Sequence, residues 1–253
     1  MPDELHPLED EGFRVVARTR RTPVIVELAL CPVGEHLPFV AGQYVLLGDS
    51  DFDIPVRSYS IANAPRDTGR ISLLVTEVPG GETSTWVHRR LRVGETVLLS
   101  GPYGTFVADP AATDPVLCLA GGSGLAPIRA LAEDFVRRGV PQPFTVVFSA
   151  RTEADVVDRD LFSGWERQHR SFRFTRTLTR EPGEPPLGRV PELLPTLFPD
   201  LSDHDLFIAG APGFVAAASQ AARRLGACSV RMHTEEFFVE PRPWAASTTP
   251  VAT

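Results

Sequence analysis

Residues Pro115 to Gly139 read PVLCLAGGSGLAPIRALAEDFVRRG. The continuous apolar run Val116-Leu117-Cys118-Leu119-Ala120 lacks polar alternation, which suits a strand covered on both faces, as in a parallel sheet. Gly121-Gly122-Ser123-Gly124 follows, with no Cβ at three of four turn positions. Ile128, Leu131, Ala132, Phe135 and Val136 then recur at i, i+3, i+4, i+7 and i+8, one face of a helix. Pro127 fits the first helical position, and Gly139 fits just beyond the last turn. Strand, glycine turn and helix N-terminus together present unpaired amides to an anion, a diphosphate being the natural ligand. The dinucleotide fingerprint G-x-G-x-x-G requires glycine where Pro127 stands, so a tight βα turn that binds nothing is the competing reading.

The rest of the chain extends this pattern. After Pro115, strands are expected at 116–120, 144–149, 172–178, 205–209 and 229–233, and helices near 127–138, 155–168, 190–198 and 213–225. Alternation with short links predicts a doubly wound parallel sheet. Before it, Phe13-Val15, Val24-Val26-Leu28-Leu30, Tyr44-Leu46 and Ile71-Leu73-Val75 alternate with period two between Pro/Gly turns, which predicts an antiparallel barrel or sandwich. A short helix over Ser84–Leu91 interrupts that region, with Thr83 or Ser84 as its N-cap. Asp109–Pro115 reads as a linker between domains. A crevice beyond the strand ends of the α/β domain is the expected ligand site.

Composition narrows the function. The 253 residues are 43% hydrophobic and 23% charged, with a net charge of −7, which argues against a nucleic-acid partner. No run of 18 apolar residues predicts a membrane span. The opening MPDELHPLEDEG has no apolar h-region, so no secretory signal is expected and a cytoplasmic location is the default. Cys31, Cys118 and Cys228 are dispersed, as are the six histidines, so neither a metal site nor a protein-held cluster is expected. All 25 basic residues are arginine. That excludes a Walker A lysine and a Schiff-base lysine, leaving phosphate to arginines, hydroxyls and backbone.

Arg57-Ser58-Tyr59-Ser60-Ile61-Ala62 brings an arginine, a ring and hydroxyls into one strand. Arg57 and Tyr59 fall on one face, Ser58 and Ser60 on the other. Pro79-Gly80-Gly81-Glu82-Thr83-Ser84 forms a second glycine turn before a helix N-terminus. With these come Gly101-Pro102-Tyr103-Gly104-Thr105-Phe106, the GGSGLAP turn, Gly210-Ala211-Pro212-Gly213-Phe214 and His233-Thr234-Glu235-Glu236-Phe237. Six motifs in this order, over residues 12–238, resemble the ferredoxin–NADP⁺ reductase superfamily, and within it the oxygenase-reductase branch.

The resemblance implies a Greek-key β-barrel binding FAD over 12–110, an NAD(P)H-binding α/β domain over 111–239, and tails at 1–11 and 240–253. It implies that Arg57 meets a flavin phosphate, that Ser58, Tyr59, Ser60 and Ile61 line the flavin, and that Gly80, Gly81, Thr83 and Ser84 hold its diphosphate. GPYG with GGxxS resembles FAD users more than FMN users. Gly121, Gly122, Ser123, Gly124 and Pro127 would hold the nicotinamide dinucleotide, with Gly210, Pro212 and Gly213 on the nicotinamide side. Ser60, Glu235 and Phe237 match residues at the reacting face, with the register of Glu235 against Glu236 open. Thr179 with Arg180, or Arg151, would meet a 2′-phosphate, favouring NADPH; NADH remains open because Glu153, Asp155 and Glu181 stand nearby. The implied activity takes hydride from NADPH or NADH and passes single electrons to a separate acceptor: a ferredoxin, a Rieske oxygenase, or a diiron monooxygenase or P450 system. A monomer is expected.

Ala209 stands where many relatives have a cysteine. This keeps a second reading open, a non-catalytic flavin sensor or assembly subunit. A hydrolase is a third, because GGSG after a strand resembles a nucleophile elbow, although Leu125 breaks G-x-S-x-G.

Overall fold

The computed structural model describes residues 11–51, 53–181 and 188–238. The tails expected at 1–11 and 240–253 lie outside them, save Glu11, which opens the first strand.

The first half is an antiparallel sheet of β1 (Glu11–Thr22), β2 (Ile25–Pro32), β3 (Tyr44–Asp49), β4 (Arg57–Ser60), β5 (Ile71–Thr76) and β6 (Thr96–Tyr103), with α1 (Glu82–Arg89) between the last two strands. Its order is β4-β3-β6-β1-β2-β5, so β6 inserts between β1 and β3. The sheet curls until its edges meet, through an Ile61–Leu73 bridge and an Ala62 N–H to Ser72 carbonyl bond of 2.8 Å. Period-two alternation decides what goes inside. Val26, Leu28 and Leu30 of β2 and Ile71, Leu73 and Val75 of β5 fill the barrel, while Ile25 and Leu74 face outward into the second core.

The second half is a parallel sheet of β7 (Val116–Gly121), β8 (Phe144–Ala150), β9 (Phe172–Leu178), β10 (Asp205–Gly210) and β11 (Met232–Glu236), ordered β11-β10-β7-β8-β9. Cys118 and Ala120 pack toward α2 (Leu125–Arg138) and α3 (Arg159–Gln168). Leu117 and Leu119 pack toward α4 (Val190–Leu197) and α5 (Pro212–Arg224). The apolar run of β7 is therefore buried on both faces, as its composition predicts. From β7 the chain winds outward to β8 and β9, then returns to β10 on the other side. The strand order reverses between β7 and β10, and this is the switch point at which such sheets bind ligands.

The two domains share one apolar core. Ile25, Ala41, Ala62, Leu74 and Phe106 of the barrel pack with Ile128, Leu131 and Phe135 of α2.

Four sequence expectations need correction. The last strand, expected at 229–233, begins at Met232, because parallel pairing with β10 starts there opposite Leu206, and 229–231 form a 3-10 turn that leaves Val230 exposed. The helix expected over 155–168 starts at Arg159, because Thr152 and Asp155 close a capping box around a separate 3-10 turn at 153–155. Helix α1 starts earlier than expected, with Gly81 at its N-cap, because Thr83 and Ser84 turn their hydroxyls inward. Pro127 is the third residue of α2, where its missing N–H is still free of cost, because a 3-10 turn at Gly122–Gly124 brings the helix start forward to Leu125.

Candidate functional site

On the barrel side, β4 carries the arginine and the hydroxyls. Arg57 is exposed, and its guanidinium donates to the neighbouring Val56 carbonyl, at 2.8 Å. Among the described residues it has no carboxylate partner, so its charge is available to an anion. Ser58 is exposed beside it, and Ile61 is buried behind. Tyr59, paired with Val45, packs against the rim of the barrel core, and burial pushes its hydroxyl up to about 12 against the pull of Arg57.

Gly80 is left-handed at φ +76, which turns the chain sharply into α1. Ser84 Oγ accepts the Val78 N–H at 3.1 Å, and Thr83 Oγ1 donates to the Pro55 carbonyl. Both hydroxyls brace the turn from beneath. What the turn turns outward is the start of α1, whose first amides have no side-chain cap.

On the α/β side, two helices begin where the strand order reverses. The N-termini of α2 and α5 both lack a side-chain cap and an acidic first-turn residue. Their amides and positive dipole ends stand beside each other at the ends of β7 and β10. Pro212 opens α5 and Gly213 follows. Gly122 is left-handed at φ +55 and meets open space, and Ser123 beside it is half-buried. Gly124 is required by packing: a Cβ there would run into the Ala209 carbonyl and lie 2.7 Å from the Gly210 nitrogen. The Phe214 ring closes the floor, 2.9 Å from where a Cβ on Gly121 or Gly210 would sit. Ser123 donates to no histidine or acid among the described residues, so no nucleophile relay forms at this turn.

Among the contacts between the two halves, one lies at the reacting face. Ser60 Oγ, buried at the end of β4, donates to Glu235 Oε2 on β11 at 3.5 Å. Strand alternation resolves the register: His233, Glu235 and Phe237 turn inward, while Thr234, Glu236 and Phe238 are exposed. Phe237 N–H donates to the Gly210 carbonyl at 2.9 Å, which ties the aromatic to the α5 turn. Burial pushes the Glu235 carboxyl up to about 7, and the Ser60 hydroxyl only partly opposes this. The carboxyl therefore exchanges a proton near neutral pH.

At the far rim, β8 and β9 bring Arg151 and Arg180 together, the Arg180 N–H donating to the Arg151 carbonyl at 2.9 Å. Both are exposed, and among the described residues neither guanidinium is bonded to an acid. Thr179 Oγ1 donates to the Ala150 carbonyl at 3.3 Å. The neighbouring acids are already engaged. Glu153 holds Arg159 at 2.7 Å and Arg176 at 2.9 Å, Asp155 accepts from Thr152, and Glu181 accepts the Glu153 N–H at 2.6 Å.

Two aromatic residues escaped the sequence reading. Tyr44 pairs with Ser60 on one side and with Tyr103 on the other, so Ser60, Tyr44 and Tyr103 form one row along the barrel face, the rings 5.7 Å apart. Tyr103 lies inside the GPYG motif; Tyr44 carries no local signal, because cross-strand register sets its position.

Residues 21–107 match the family model of the oxidoreductase FAD-binding domain, and 118–220 that of the oxidoreductase NAD-binding domain. Reductase component 1 of terephthalate 1,2-dioxygenase from Comamonas sp is 33% identical, covering 90% of this chain and 68% of the relative. Ferredoxin–NADP reductase B of Sorangium cellulosum (strain So ce56) is 32% identical, covering 88% of this chain and 96% of the relative. Among solved structures, the Amycolatopsis cytochrome P450 reductase GcoB superposes with a TM-score of 0.84 at 29% identity, covering 92% of this chain and 71% of that one.

Proposed function

The chain belongs to the ferredoxin–NADP⁺ reductase superfamily, and from that premise we propose that the crevice between its domains is the site of an FAD-dependent NAD(P)H oxidoreductase that delivers electrons to a ferredoxin, oxygenase or P450 acceptor. The observation that carries the reading is the Ser60–Glu235 hydrogen bond, which joins the strand of one cradle to a strand of the other.

The residues fit both groups. Arg57 and the uncapped start of α1 match the phosphates of FAD, and the paired N-termini of α2 and α5 match a dinucleotide's diphosphate. When bound, the flavin supplies the reactive chemistry, accepting hydride from the reduced nicotinamide and releasing electrons singly. The chain's own contribution is alignment and proton handling. Ser60 holds its hydroxyl proton between the crevice and Glu235. Glu235 stores or releases a proton near neutral pH, and Phe237, half-buried two residues on, packs against the core beside it. The Tyr44–Tyr103 row gives the Ser60 side of the crevice a flat aromatic wall.

NADPH is the favoured donor, because among the described residues Arg151 and Arg180 hold no acid while Glu153, Asp155 and Glu181 are engaged. Among the described residues no helix is long and apolar enough to cross a membrane; we place the protein in the cytoplasm as a monomer. The test is a visible spectrum of the purified protein followed by anaerobic titration with each nicotinamide. A yellow protein bleached by NADPH more readily than by NADH is expected. A flavin that neither nicotinamide bleaches defeats the reductase reading.

A further inference from the structure

Helix α2 carries Arg129, Glu133 and Arg137 at four-residue spacing, one line along its surface. All three reach the barrel segment 62–66, which directly follows β4. Arg129 Nε donates to the Ala62 carbonyl. Glu133 accepts the Ala64 N–H at 2.9 Å and pairs with Arg66. Arg137 donates to the Pro65 carbonyl at 2.9 Å. The helix that begins at the dinucleotide turn is thus bonded along its length to the chain leaving the flavin strand.

Arg129 is the centre of this contact. It is 5% exposed, and its two terminal nitrogens reach Glu27 of β2 at 2.5 Å and Asp158 at 2.6 Å. Arg21 of β1 pairs with the same two carboxylates, at 3.0 Å from Glu27 and in contact with Asp158. Two cations and two anions close a neutral ring that draws on both domains.

Asp158 shows what the ring demands. It occupies the N-cap of α3, where an aspartate ordinarily accepts from the first-turn amides. Here it makes no such bond, stands in the left-handed region at φ +58, and turns a carboxylate that is 2% exposed to the arginines. It is the single non-glycine residue with positive φ among the described residues. A cap is forgone and a disfavoured backbone conformation adopted in favour of the contact between domains.

We propose that Arg129 is a positioning residue for the electron-transfer reaction, fixing the spacing and angle at which α2 faces β4 through Ala62 on one side and Glu27 and Asp158 on the other. The inference rests on the reductase reading. A charge ring whose Arg129 and Asp158 side chains are buried while Arg21 is exposed is a weak source of stability but a directional one: each partner is satisfied in a single arrangement of the domains. Both cradles stay intact without Arg129; their mutual geometry does not.

The test uses the full FAD-loaded chain with Arg129→Gln, Arg129→Lys and, as a variant that keeps every arginine, Glu27→Gln. Arg129→Gln is expected to retain FAD and to bind NADP⁺ with unchanged affinity. Its limiting rate of flavin reduction at saturating NADPH falls by roughly 10- to 100-fold, the cost of a misplacement near 1 Å. Arg129→Lys, which keeps the charge, recovers part of that rate, and Glu27→Gln falls between. Calorimetry without nicotinamide gives the second readout: one unfolding transition in the wild type, two in Arg129→Gln as the domains uncouple. An unchanged limiting rate with a lower melting temperature overturns the proposal, as does a rate loss matched by lost NADP⁺ affinity. A wild type that no nicotinamide bleaches defeats the reductase reading itself; calorimetry then decides the clasp, and a single transition in Arg129→Gln overturns it.

Discussion

Gly124→Ala isolates the turn proposed to hold the nicotinamide dinucleotide from the rest of the molecule. Gly124 has φ −61 and ψ −10, angles any residue adopts, so the substitution adds no backbone strain and acts through one methyl group. That methyl would collide with the Ala209 carbonyl and lie 2.7 Å from the Gly210 nitrogen, both of them fixed backbone atoms of β10. Because no side chain can rotate away, the α2 turn and the end of β10 must part by on the order of 1 Å, which in a packed core costs roughly 1–3 kcal/mol. The same movement separates the two uncapped helix N-termini, and a shift of that size is worth about 10²-fold in rate. The assay is anaerobic stopped-flow bleaching of the flavin by NADPH, with chemical reduction by dithionite as the control. The variant should hold FAD as the wild type does, because β4 and α1 are untouched, and should bleach normally with dithionite. Its NADPH-dependent rate should drop on the order of 10²-fold. A wild-type rate and a wild-type half-saturating concentration would refute the assignment of this turn to the nicotinamide dinucleotide.

Other substitutions separate the remaining roles. Glu235 has a folded pKa of about 7 against an ordinary 4.5, so between those values the folded protein binds more protons than the unfolded chain. Its stability should fall as pH rises from about 4.5 to about 7, by at most ~3 kcal/mol, and melting curves of apo Glu235→Gln across that window should lack this component. Arg57→Ala removes the one cation of β4, and FAD affinity should weaken roughly 10- to 100-fold, the worth of a charge-assisted hydrogen bond; full flavin occupancy after extensive dialysis would contradict the phosphate assignment. Arg180→Ala should raise the KM for NADPH about tenfold or more while barely moving that for NADH. Equal effects on both coenzymes would shift the 2′-phosphate to Arg151 or elsewhere.

Much of this architecture was legible because it rests on short-range rules. The unbroken apolar run of β7 announced a strand covered on both faces. The glycines before α2 announced a turn that a Cβ would obstruct, and period-two alternation announced the barrel strands. Errors fell where one local signal competed with another. Asp155 looked like the start of a helix and proved to close a capping box. Thr83 and Ser84 looked like caps, yet burial draws their hydroxyls to the Pro55 carbonyl and the Val78 amide. The last strand was expected from 229, three residues before parallel pairing permits one.

By itself, then, the sequence determined two domains, the order of their elements, and the residue types each cradle offers, since these follow from periodicity and turn chemistry within a few residues of the chain. Tertiary structure alone decided that Glu235 and not Glu236 faces Ser60, that Tyr44 stands in line with Tyr103, and that Arg129 is enclosed by acids from 29 and 102 residues away. The reason is physical: register, burial and domain contact are set by packing between distant segments, and a carboxylate's proton affinity or an arginine's partner depends on what that packing excludes from water.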